Sequence, residues 1–234
     1  MKKLVVTFSL VALATAVYAQ GTVDFLNSTT TRVQTNSVGM GGTAGTTALA
    51  ANGFYYALLT APSSVTSASG LDLLTPTWTF TGNYGTNTAG SGGGRLVGGG
   101  LNTTTLGAWP AGVTNRYVLA GWSANVAGSD WNSVKAQLTG GSFAGGVWTW
   151  PNGGLTAHGG FYGISDVTAS TAFGSAGGGT DALPSHPLFG PSPIGSGTPI
   201  PTGFTLFVIQ VPEPSTLALA GLGAAALLLI RRRK

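Results

Sequence analysis

The sequence predicts an all-β body, an antiparallel β-sandwich with a jelly-roll variant left open, joined to one short helix, an N-terminal signal peptide and a single C-terminal transmembrane helix. Three observations predict it. Short runs rich in aromatic and β-branched residues recur along the chain, separated by Gly, Asn, Pro and Ser clusters. The 39 glycines and 12 prolines among 234 residues demand frequent turns. Hydrophobic residues make up 43% of the chain and charged residues only 7%, against roughly 25% charged in ordinary globular proteins, so there is a core to bury and a surface made polar by Thr, Ser and Asn.

Residues 1–19 form the first element. Lys2 and Lys3 precede an apolar stretch that begins at Leu4, and Val17 and Ala19 supply the small side chains that signal peptidase requires, so cleavage is expected after Ala19. The apolar run is shorter than the ~20 residues of a membrane span, which argues for a cleaved leader rather than an anchor.

The body occupies residues 20–210. Its expected strands are "TVDFLN" from 22, "GFYYALLTA" from 53, "TPTWTFTG" from 75, "NRYVLAGWSAN" from 115, "GGVWTW" from 145, "GGFYGISDV" from 159 and "TLFVIQ" from 205. In the fourth, Val118, Ala120 and Trp122 alternate with Tyr117, Leu119 and Gly121, so the two sets occupy opposite faces. "SDWNSVKAQL" from 129 breaks the pattern: Ser129 is the expected N-cap, and Trp131, Val134 and Leu138 share one helical face. Loops are expected at 39–47, 85–100 and 173–199, the last reading as a mobile excursion or a linker.

The tail, residues 211–234, reads "VPEPSTLALAGLGAAALLLIRRRK". Pro212 and Pro214 fix their own φ and push the residues before them toward extended geometry, so Pro212, Glu213 and Pro214 cannot join the helix that follows. Residues 216–230 are apolar or small throughout, with no polar face, and predict a short span. Arg231, Arg232, Arg233 and Lys234 then act as a cytoplasmic stop, which leaves the body outside the membrane.

The formal net charge of +4 is created at the ends. Within 20–210 stand Arg32, Arg95, Arg116 and Lys135 against Asp24, Asp72, Asp130, Asp166 and Asp181, a near-neutral body with no basic patch for nucleic acid. There are no cysteines, hence no disulfide and no thiolate chemistry. "GMGGTA" from 39 has the form of a phosphate-cradling turn but lacks an acid at the right distance. Ser142 lacks the full nucleophile elbow, His158 and His186 are isolated, and Asp130 with Asn132 begins a Ca²⁺ loop that is not completed. No catalytic set, cofactor or metal is expected, and the chain does not read as an enzyme. Of the six tryptophans most are expected in the core; Trp109, in a Gly-Ala-Trp-Pro loop, is the best placed to stack on a sugar ring.

Taken together, Pro212-Glu213-Pro214, the apolar run and the terminal cations resemble the PEP-CTERM sorting signal of exported bacterial proteins. The resemblance implies recognition by exosortase, an integral-membrane cysteine protease that cuts near the Pro-Glu-Pro motif. It implies a membrane-tethered precursor, with the mature protein at the cell surface or outside the cell. It covers only the tail and assigns the body no activity. The expected role is structural or adhesive, and the alternative is a carbohydrate-binding module for matrix exopolysaccharide.

Overall fold

Two neighbouring strands set the architecture, because both are buried on both faces. The computed structural model describes residues 20–24, 26–36, 45–47, 52–88, 93–98, 103–110, 114–149, 160–171, 186–190 and 199–210. In chain order its strands are β1 (Gln20–Asp24), β2 (Gln34–Thr35), β3 (Gly45–Thr46), β4 (Phe54–Pro62), β5 (Thr79–Asn87), β6 (Leu96–Gly98), β7 (Thr103–Pro110) and β8 (Thr114–Ser123). These are followed by β9 (Ser142–Ala144), β10 (Val147–Thr149), β11 (Phe161–Ile164), β12 (Thr168–Thr171), β13 (His186–Pro187) and β14 (Thr205–Gln210). Helix α1 (Ala124–Ala127), helix α2 (Trp131–Leu138) and a 3-10 turn (Asp72–Leu74) complete the described elements.

The main sheet runs β3-β2-β14-β11-β8-β4-β5-β6, with β10 and β9 continuing from β14 and β12 pairing β8; β13, β1 and β7 form a second, three-stranded sheet. Strand β4 pairs with β8 along its whole length, from Phe54 opposite Ser123 to Pro62 opposite Asn115. From this central pair one core takes Tyr56, Leu58, Tyr117 and Leu119, together with Val33, Leu96, Phe204 and Leu206. The other takes Ala57, Leu59, Val118, Ala120 and Trp122, together with Trp78, Trp131, Val134 and Trp148. The expected two-faced alternation in β8 is thus met, and the nearly continuous apolar runs of β4 and β8 reflect a sheet covered on both sides.

The sheet is curled and mixed, a half-barrel rather than the purely antiparallel arrangement expected. Three pairs are parallel: β1 with β13, β10 with β14, and β14 with β2. Each joins strands far apart in sequence, so no tight hairpin forces antiparallel pairing. Gly163 of β11 lies opposite Gly121 of β8. A side chain on Gly163 would run into the Thr205 carbonyl oxygen and come within 3.0 Å of the Leu206 Cα, so the absence of a Cβ lets β14 approach β11 this closely.

Two asparagines lock distant segments. Buried Asn27 donates from Nδ2 to the carbonyl oxygens of Thr31 (2.8 Å) and Gly94 (2.7 Å), and its Oδ1 accepts from the Leu96 N–H (2.9 Å). Asn36 stands between β2 and β10 along the edge of β14. Its Nδ2 donates to the Gly146 carbonyl (2.8 Å) and its Oδ1 accepts from the Val208 N–H (2.9 Å), so a side-chain amide continues the ladder where neither strand reaches.

Several expectations shift. Helix α2 forms with Trp131, Val134 and Leu138 buried as expected, but its N-cap is Asp130 and not Ser129: the carboxylate accepts from the Asn132 and Ser133 N–H groups, which a longer side chain one residue later meets better. A second short helix, α1, and the 3-10 turn add to the single helix expected. The strand expected from 75 starts at Thr79, because the 3-10 turn and the buried Trp78 occupy the preceding stretch. Within 173–199, read as a mobile excursion or linker, Leu188 and Phe189 are buried in the core, and Phe189 bridges Ile200.

Candidate functional site

Strand β14 fixes the point from which the sorting tail leaves the body. On one edge Thr205 and Leu206 pair with Gln34 and Thr35, and Ile209 and Gln210 pair with Trp148 and Thr149; on the other edge Phe207 and Val208 pair with Tyr162 and Phe161. Leu206 and Ile209 are buried. The strand is therefore an interior member of the sheet, and its last residue, Gln210, directly precedes the tail. Pro212, Glu213, Pro214, Arg231, Arg232, Arg233 and Lys234 lie outside the described residues, as do Val17 and Ala19 at the expected signal-peptidase site. The expected span over 216–230 lies outside them too, and no helix among the described residues is long and apolar enough to cross a membrane.

Beside β14 an aromatic cluster reaches the surface. The β9–β10 hairpin turns on Gly145 and Gly146, and Phe143 stands opposite Trp148. The Phe143 ring lies 4.8 Å from Trp148 and 5.1 Å from Phe207, and Trp148 in turn lies 5.0 Å from Tyr162. Trp148 donates from Nε1 to the Tyr162 carbonyl (3.1 Å), which fixes the inner layer. Phe143 is 42% exposed, more than the other large exposed hydrophobics described, Leu71 and Tyr84. Sequence reasoning passed over it, although "SFAGGVWT" from 142 carries the Gly-Gly hairpin signal between two apolar runs.

The tryptophans with described side chains, Trp78, Trp122, Trp131 and Trp148, are all buried, as expected of core residues. Trp109 lies in strand β7 rather than in a free loop. Its register against β1 is irregular: Gly21 pairs with Leu106 while Gln20 pairs with Pro110, so residues 107–109 interrupt the ladder. Trp150 and His158 lie outside the described residues, and His186 belongs to β13 opposite Val23.

The other chemistry-bearing groups serve the fold. The Ser133 hydroxyl and the backbone N–H groups of Asn132 and Ser133 hold the Asp130 carboxyl below the usual aspartate range, which is the electrostatic mark of an N-cap. Asp72 accepts from the Ser69 N–H at the 3-10 turn (2.6 Å). The Ser123 hydroxyl accepts from the Phe161 N–H (2.8 Å), and the Ser165 hydroxyl accepts from the Leu119 N–H (3.0 Å). Burial pushes the phenols of Tyr56, Tyr117 and Tyr162 above the ordinary tyrosine range, so they stay neutral in the folded protein. Among the described residues no group of three or more His, Cys, Asp or Glu side chains comes together to hold a metal.

No curated protein and no solved structure matches the chain. The family comparison falls instead on the stretch that starts at the last residue of β14. Residues 210–234 match the PEP-CTERM protein-sorting motif, and the chain is on that ground an exosortase-targeted exported protein.

Proposed function

We propose that the protein is a non-enzymatic, structural or adhesive component of the cell surface or extracellular matrix, delivered there by its tail. In the precursor, residues 216–230 cross the cytoplasmic membrane with the body outside and Arg231–Lys234 inside, and exosortase acts at Pro212-Glu213-Pro214. A sandwich-like arrangement of the body is supported by β7, paired with β1, running beside β5 of the main sheet. The observation that carries the structural reading is the use made of polar side chains. Asp130 caps helix α2, Asp72 accepts from the Ser69 N–H before its 3-10 turn, and Ser123, Ser165, Asn27 and Asn36 tie backbone to backbone.

Changing Pro212, Glu213 and Pro214 together to Ala is expected to leave the unprocessed chain in the cytoplasmic membrane of an exosortase-competent host, as read by membrane fractionation. Release indistinguishable from that of the parent chain would refute the assignment of the motif.

A second reading, binding of matrix polysaccharide, rests on Trp109, which lies where the register of β7 against β1 is irregular. Trp109→Ala is then expected to abolish binding on an array of matrix glycans. Binding unaffected by the substitution, or no binding by the parent, removes that reading.

A further inference from the structure

We propose that β9 is a self-association edge, at which two copies of this chain pair antiparallel about Phe143. The proposal deepens the structural reading and rests on it for its biological purpose alone. Among the described residues β9 pairs only with β10, which is itself held by β14 on its far side, so β9 is the outermost strand there.

The hairpin geometry says which groups face outward. Gly145 and Gly146 have φ of 59° and 77°, as a two-residue type I′ turn requires, and in such a turn the flanking residues, Ala144 and Val147, exchange main-chain hydrogen bonds. Bonded and non-bonded pairs alternate along an antiparallel ladder. Phe143 and Trp148 are therefore a non-bonded pair, which agrees with their close rings, and the N–H and C=O of Phe143 point to the open edge. A second Phe143 on a two-fold axis meets both groups at once, its C=O accepting from the first N–H and its N–H donating to the first C=O. Directly opposite residues of an antiparallel pair project to the same face, so the two Phe143 rings come together and extend the Phe207–Phe143 contact into the partner.

Charge does not oppose the pairing. No Asp, Glu, Lys or Arg occurs from residue 136 to residue 165, whereas edge strands that must stay apart usually carry such charges. The side chains of Ser142, Phe143 and Ala144 are all exposed, and Phe143 is held by Trp148 and Phe207 before any partner arrives. A pairing of three-residue strands falls well below the ~1,200 Å² of a standard stable interface, so the contact is weak in dilute solution and gains from crowding of many copies on a surface.

Sedimentation velocity over a concentration series tests this on the full chain in detergent. The parent chain and Tyr84→Lys are expected to shift toward dimer as concentration rises, and Phe143→Tyr to do the same. Phe143→Lys is expected to remain monomeric at every concentration, with a melting temperature only modestly lowered by the lost ring contacts to Trp148 and Phe207. Ala144→Lys, at a side chain already in solvent, is expected to repeat the loss and stands in if Phe143→Lys fails to fold. A parent chain that stays monomeric throughout, or a lysine variant that associates like the parent, overturns the proposal. So does a monomer that loses glycan binding on Phe143→Lys, which would assign the patch to polysaccharide. None of these readouts depends on cleavage by exosortase, so failure here and failure of the sorting assignment are distinguishable.

Discussion

Gly163→Ala is expected to destabilise the body by about 3 kcal/mol, at the upper end of ordinary overpacking costs, and to lower its melting temperature by roughly 6–12 °C. The added methyl meets backbone rather than a flexible side chain: the Thr205 carbonyl oxygen, then the Leu206 Cα at 3.0 Å. Neither atom can withdraw without moving β14, and β14 is held on both edges. The loss is therefore felt along β14 and the strands it pairs with and not at one contact. Thr149→Ala, at an exposed position of β10, serves as the control and is expected to change stability by no more than about 0.5 kcal/mol. Thermal melts followed by tryptophan fluorescence measure both. A Gly163→Ala melt that coincides with that of the parent would mean that β14 does not approach Gly163 as closely as described.

A chain ending at Gln210 is expected to keep the fold of the body, and a chain ending at Phe204 to lose it. The second deletion removes buried Leu206 and Ile209, and truncation of two such side chains alone costs roughly 4–10 kcal/mol. It also orphans the edges of β2, β10 and β11. Total stabilities of ~5–15 kcal/mol do not survive that sum. Near-ultraviolet circular dichroism and protease resistance distinguish the two truncations, and equal native signatures from both would contradict the interior placement of β14. This places a limit on processing: a mature, folded body must retain the chain through Gln210, so exosortase has to cut beyond it.

The local parts of this fold were legible in the sequence. Alternation in β8 assigned Tyr117 and Leu119 to one core and Val118, Ala120 and Trp122 to the other, and 3.6-residue periodicity marked the buried face of α2. The limits of β14 coincide with the run expected from 205. What stayed hidden depends on partners remote in sequence. Nothing near Asn36 announces a bond to Val208, nothing near Asn27 announces Leu96, and nothing near Gly163 announces the close approach of Thr205. Parallel pairing of β14 with β2 and β10 is likewise a product of long connections, which hydrophobic alternation does not encode. The low-complexity look of 173–199 concealed Leu188 and Phe189, which are buried in the core. For the functional residues the contrast is sharper. Pro212, Glu213 and Pro214 lie contiguous within the matched motif and are hence visible in one dimension, whereas the exposure of Phe143 follows from a sheet edge that only the fold creates.

The central claim, a folded body ending in β14 and carrying a removable address, is tested most directly by the intact mass of the protein recovered outside the cytoplasm of an exosortase-competent host. The predicted mass corresponds to a chain that starts at Gln20, retains Gln210 and lacks the apolar run and Arg231–Lys234. A mass that still includes those terminal cations, or an identical mass from a host without exosortase, would contradict it.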